Sequence, residues 1–257
     1  MRFFIALLST VLKASLALRG AFLLQVSLMV VNNVLYFASW WILLQRFDHI
    51  RGYRLPDMLA LFGVSTCVFG LVVVAFGGVL DLAQTITEGN LDALLSQPKN
   101  VLLRAIATRS RASGWGDIAS GSAMLVLSGY VHLANVPIVL MAVLSGALVL
   151  LSSAVLINSA AFWLSEIESI SLHAFNFLLA LALYPPTLFG GATKVLLFTV
   201  LPAGLVAYLP VELVRDFHAG TALLAVAAAL VYAGVAWFVF QRGLRHYASG
   251  SRFTVWG

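Results

Sequence analysis

Charge is scarce in this 257-residue chain: Asp, Glu, Lys and Arg together make up 10% of it, against roughly 25% in soluble domains. With 61% hydrophobic residues and a mean hydropathy of +1.00, a water-soluble globular protein is excluded. Cysteine is nearly absent. The single Cys67, within LFGVSTCVFG, excludes an intrachain disulfide and a Cys-rich metal site, and reads as a small packing residue. The five histidines, His49, His132, His173, His218 and His246, show neither H-x-x-x-H nor H-E-x-x-H spacing, which argues against a membrane zinc protease. No G-x-x-x-x-G-K followed by Ser or Thr occurs, and GGATK, ending at Lys194, has neither the length nor the following hydroxyl. Glu166 and Glu168, in LSEIESIS, read as a solvated turn rather than an acid/base pair. These absences leave no catalytic residue, no metal site and no cofactor site assigned to this chain.

The net charge of +5 and the pI near 9.7 could suggest nucleic acid. No compact basic run with interleaved aromatics accompanies them, so no nucleic-acid partner is expected, and the loop Lys and Arg are read as records of membrane orientation.

Apolar runs of about 20 residues can cross a hydrocarbon layer roughly 30 Å thick. Six such runs are expected as spans, at 22–45, 58–80, 116–133, 136–163, 172–189 and 221–241. The third is rich in Gly and Ser, which suits a helix packed closely against its neighbours. Residues 194–216, KVLLFTVLPAGLVAYLPVELVRD, are apolar but divided by Pro202 and Pro210 into pieces too short to cross, so a re-entrant pair is expected. With the N-terminus inside, Arg2, Lys13, Arg19, Lys99, Arg104, Arg109, Arg111, Arg242, Arg245 and Arg252 fall on the inner side, ten of the fifteen basic residues. That balance follows the positive-inside trend, and a seventh crossing would reverse it. The N-terminal MRFFIALLSTVLKASLALRG carries Lys13 within its apolar run, with Arg2, Ser9 and Lys13 on one side of a helix. It reads as a helix lying in the interface rather than a cleaved signal. The expected fold is therefore an all-α polytopic membrane protein, one transmembrane domain over 1–257, with both termini cytoplasmic.

The segment TITEGNLDALLSQPKNVLLRAIATRSRASGWGD, residues 85–117, interrupts two apolar runs on the inner side. Within it Leu91, Leu94 and Leu95 stand at i, i+3 and i+4, Asn90 is a candidate N-cap, and Pro98 stops the helix. Such a short amphipathic helix either lies on lipid headgroups or docks its leucines into a groove of a soluble partner.

Polar groups inside the spans are few. Their middles lack Asp, Glu, Lys and Arg, with Asp81 and Asp117 at the membrane edge, which speaks against an ion-coupled secondary carrier. A channel would explain the amphipathic loop less well. Gln25, Met29, Asn32 and Tyr36 follow a 4-3-4 rhythm along one face of the first span, and His173 and Asn176 lie in the fifth. These residues serve either interhelical hydrogen bonding or the wall of a substrate path. Such a path would suit lipids, amphipathic drugs or small peptides alike.

ITEGNLDALLSQPKNVL resembles the loop of one family of ATP-binding-cassette exporter permeases of the type-2 class. LYPPTLF, FTVLPAGLVAYLPVELV and the closing GLRHYASGS point the same way, in the family's order. The resemblance implies a six-span subunit of a bacterial inner-membrane exporter. In that picture it works with a second permease chain, identical or related, and with soluble ATPase subunits that bind ATP and Mg. The N-terminal segment then corresponds to an elbow helix, and residues 90–97 to a coupling helix seated in the ATPase. Glu88, Gly89, Leu91, Asp92, Leu94, Leu95 and Pro98 are the residues so implicated, and residues 194–216 correspond to external re-entrant helices.

Overall fold

The structure is a computed structural model and describes residues 18–47, 49–96, 100–164 and 167–247. The expected elbow helix and Pro98 lie outside the described residues. Helix α1, Arg19–Arg46, is followed by α2, Leu55–Phe76, which opens with Pro56 in its first turn and the Asp57 carboxylate accepting from Arg54 N–H at 2.9 Å. A 3₁₀ turn at Gly77–Asp81 leads into α3, Leu82–Thr87, and then α4, Asp92–Leu95, and α5, Val101–Ala107. Next come α6, Ser113–Leu127, α7, Val136–Ser159, and α8, Glu168–Ala182. Helices α9, Gly191–Thr199, and α10, Leu209–Arg215, precede the long α11, Ala219–His246.

Small residues set how these helices pack. A Cβ on Gly121 would lie 2.8 Å from the Gly63 carbonyl oxygen, and one on Gly70 would lie 2.6 Å from that of Gly114. The contacts run 63 to 121 and 70 to 114, so α6 returns antiparallel along α2 at backbone contact, as glycine-lined membrane interfaces do. Gly116 meets α1 at Val26 and Met29, and Asn33 reaches Asp117 and Ser120, so α1 and α6 run in the same direction. Val68 faces Gly146 and Ala83 faces Asn158, which makes α7 parallel to α2. Ser65 bonds to Ala182 while Phe69 meets Phe175, so α8 runs opposite to α2. Phe162 at the end of α7 meets Phe240 and Gly243 near the end of α11. The six longer helices thus alternate in direction along the chain.

Among the described residues, length and apolarity alone qualify four segments as membrane crossings, Arg19–Arg46, Leu55–Thr87, Leu133–Phe162 and Ala219–His246, and a fifth if the bent pair Gly191–Thr199 and Gly204–Arg215 counts as one. The sequence suggests six. The third and fifth candidates are 15 residues each, about 22 Å of helix and short of the hydrocarbon thickness. Helix α6 stops at Ser128–Gly129, where Gly129 takes φ +75°. Helix α8 starts at Glu168, earlier than the 172 expected, and ends well before 189, because Pro185 and Pro186 forbid its continuation and bias Tyr184 away from helical geometry.

Helices α9 and α10 are joined through Pro202 and a π-helical turn at Gly204–Tyr208, and are bent by 73°. Pro202 sits in the break, its carbonyl accepting from Leu205 and Val206 N–H. Pro210 lies in the first turn of α10 and meets Gly146 of α7. Arg215 at the end of α10 bonds Asp57 at the start of α2, at the same end of the bundle where α6 and α8 terminate.

Candidate functional site

The segment after α2 is anchored before it turns. Gly77 and Gly78 press against the chain leading to α6; a Cβ on Gly78 would lie 2.4 Å from the Ala105 carbonyl oxygen. Asp81 pairs with Arg109 at 2.9 Å and Arg111 at 3.0 Å. Exposed pairs of this kind contribute little stability; here they link the end of the 3₁₀ turn to the segment between α5 and α6. Ala83 N–H donates to Asn158 Oδ1 at 3.2 Å, which ties α3 to the end of α7.

The turn itself needs glycine. Gly89 has φ +78°, in the left-handed region that side-chain-bearing residues rarely occupy. Glu88 accepts from Gln84 Nε2 at 2.7 Å and Asn90 Nδ2 at 2.8 Å, while Thr87 Oγ1 donates to Glu168 at the start of α8. Asn90 is therefore not the helix cap that the sequence suggests. Helix α4 is a single turn, Asp92–Leu95, with Leu91 at its N-cap position and no side-chain cap.

The three leucines divide. Leu91 is fully buried, Leu94 packs half-buried against the core, and Leu95 is 42% exposed. The expected common docking face is corrected accordingly: Leu91 belongs to this chain's own core, and the outward edge of the turn is Ala93, Leu95 and Ser96. Arg104 of α5 donates to the Leu94 carbonyl at 3.1 Å, closing the turn from behind. Asp92 neighbours Tyr247 beyond the end of α11; burial, and next this carboxylate, push the Tyr247 phenol up to about 12. The phenol therefore stays neutral at physiological pH. The segment is braced from α5, α7 and α8, with the short edge Ala93, Leu95 and Ser96 left outward.

Residues expected along a substrate path separate into two places. Gln25 lines an open cleft of about 570 Å³ with Asp81, Arg109 and Arg111. Met29, Asn32 and Tyr36 line a cavity of about 200 Å³ between α1, α2, α6 and α8. His173 and Asn176 are exposed on α8 and line neither.

Asp117 was the least legible residue in the sequence. Expected at a membrane edge, it is 1% exposed, accepts from Asn33 Nδ2 at 2.8 Å, and lines the smaller cavity. The signal for this lay in its neighbours: Gly114, Gly116 and Gly121 let α6 approach α1 and α2 closely enough to enclose a carboxylate. At the opposite end from the braced turn, Tyr130 donates to Asp57 at 2.7 Å, and Arg215 lies over the Tyr53 and Tyr130 rings.

Among known proteins, residues 30–251 match the family model described as ABC-2 family transporter protein. The chain belongs to the ABC-2 transporter family. No curated protein and no solved structure is matched. As an ABC-2 family member with four helices among the described residues long and apolar enough to cross, the chain is a multi-pass membrane transport protein. Within this ABC-2 chain, the braced turn at 84–96 and the cavity holding Asp117 are its two candidate functional regions.

Proposed function

We propose that this chain is the permease subunit of an ATP-driven exporter in a bacterial cytoplasmic membrane. It contributes half of a path completed by a second permease chain, identical or related. ATP and Mg are bound and ATP is hydrolysed by separate soluble subunits, and this chain holds no nucleotide. Six crossings with both termini cytoplasmic are the topology of this reading, and the alternating direction of the six longer helices supports it. The bent pair α9–α10 is a re-entrant element on the external side; the return of Arg215 to Asp57 at the bundle rim supports that assignment.

One observation carries the proposal: an ABC-2 family chain presents a single braced turn with Ala93, Leu95 and Ser96 outward, tied through Glu168 and Asn158 to two helices. A turn held in this way passes a push on its outer edge into helix displacement, because packed elements shift as units rather than deform continuously. Coupling thus requires a rigid seat for the ATPase, with no reacting group on this chain. Purification in mild detergent from the native host, followed by mass spectrometry of what is retained, tests it. A soluble ATPase and a permease chain are expected; a solitary chain that transports on an ion gradient overturns the reading.

A further inference from the structure

The exporter reading leaves the cavity of about 200 Å³ between α1, α2, α6 and α8 without an assigned ligand. Its wall contains one carboxylate, Asp117, which is 1% exposed. Asp117 Oδ1 accepts from Asn33, and Oδ2 has no hydrogen-bond partner among the described residues. The Ser65 and Thr66 hydroxyls in the same wall are committed to the carbonyls of Ala182 and Phe62. Among the described residues no Lys, Arg or His lines the cavity, so none of them supplies a counter-charge there. A carboxylate in such a place is costly within a bilayer and is retained where it has a functional partner.

The rest of the wall says what kind of partner fits. Tyr36, Phe62 and Phe69 line the cavity, with the Tyr36 and Phe62 ring centroids 5.8 Å apart and inclined at 41°. Aromatic faces attract cations through the ring quadrupole, most strongly when water is excluded. A hard metal ion would need several oxygen ligands, and among the described residues no group of three His, Cys, Asp or Glu could hold one. An organic cation needs only one counter-ion and apolar walls. Asn32 and Tyr36 are exposed while also lining the cavity, so it opens along α1.

We propose that this cavity binds a lipophilic organic cation, an amine or quaternary ammonium, with Asp117 as counter-ion and Tyr36, Phe62 and Phe69 as aromatic walls. As a statement of substrate class this rests on the exporter reading. The competing role for Asp117 is structural: a clamp through Asn33 that holds α1 to α6. Asp117→Asn separates the two, because it keeps an acceptor for Asn33 and removes the charge.

The test is equilibrium binding to the full chain in lipid nanodiscs, corrected for empty nanodiscs. The probes are benzyltrimethylammonium and its neutral carbon isostere neopentylbenzene. The wild type is expected to prefer the cation, and Asp117→Asn to weaken cation binding by about tenfold or more while leaving the isostere unchanged. Equal cation binding by wild type and Asp117→Asn, or no preference for the cation in the wild type, overturns the site. Loss of both probes in Asp117→Asn overturns the counter-ion role in favour of the clamp. Co-purified ATPase is measured on the same preparations. Its retention without cation binding overturns the site and leaves the exporter reading standing; cation binding by a chain that retains no ATPase and accumulates the cation on an ion gradient does the reverse.

Discussion

Arg215 Nε lies 3.0 Å from Asp57 Oδ1, joining the end of the bent α9–α10 pair to the first turn of α2. Tyr130 donates to the same oxygen and Arg54 N–H to the other, so a carboxylate that is 4% exposed is held by three partners.

Removing one side of a buried ion pair costs about 3–5 kcal/mol. Because the Arg215 side chain is 36% exposed, Arg215→Ala is expected to cost about 2 kcal/mol, read as a lowered unfolding midpoint in detergent or nanodiscs. Arg215→Lys should recover only part of it, since the planar guanidinium also lies over Tyr53 and Tyr130. An unchanged midpoint in Arg215→Ala would show that the rim contact does not hold the bent pair.

Gly121→Ala should destabilise the bundle and Gly234→Ala should not. A Cβ at Gly121 meets Thr66 Oγ1 at 2.5 Å and the Gly63 carbonyl oxygen at 2.8 Å, forcing α2 and α6 apart. A loss of about 1–3 kcal/mol is expected from such overpacking. Gly234, within α11, has nothing within 4 Å of an added Cβ, so alanine there should be neutral or gain up to about 1 kcal/mol from helix propensity. Thermal unfolding of the two variants side by side checks both.

Topology is open to cysteine labelling without removing the native thiol, because Cys67 is buried against Ile118 and Ser122. Ser96→Cys on the outward edge of the braced turn should react with an impermeant reagent only after the inner face is opened. Thr193→Cys in α9 should react in intact cells. Labelling of both positions from one side would contradict the odd number of crossings, three, that this topology places between them.

The apolar runs made the helices legible in sequence, and paired prolines marked breaks that the structure respects: Pro185 and Pro186 after α8, Pro202 between α9 and α10. What stayed hidden depends on which neighbour a face meets. The i, i+3, i+4 spacing of Leu91, Leu94 and Leu95 establishes an apolar face but not whose core it enters, and Leu91 enters its own. Asn90 carries cap chemistry, yet Glu88 is within its reach and the left-handed Gly89 turns the chain away from capped geometry. Asp117 near the start of an apolar run resembles a solvated edge residue; only the glycine contacts that draw α6 against α1 and α2 show that water is excluded. The length of α6 and α8 was equally hidden, since apolar character continues past the residues that remain helical.

The most direct test of the account is to place a carboxylate on the outward edge of the braced turn. Leu95 is 42% exposed and Leu103, nearby on α5, is 45% exposed, so Leu95→Asp and Leu103→Asp should both insert and fold. If Leu95 seats in an ATPase groove, desolvating a charge there costs several kcal/mol. Leu95→Asp is therefore expected to lose the co-purified ATPase, or to let it hydrolyse ATP without export, while Leu103→Asp retains both. Normal ATPase retention and normal export in Leu95→Asp, or equal loss in the two variants, would contradict the account.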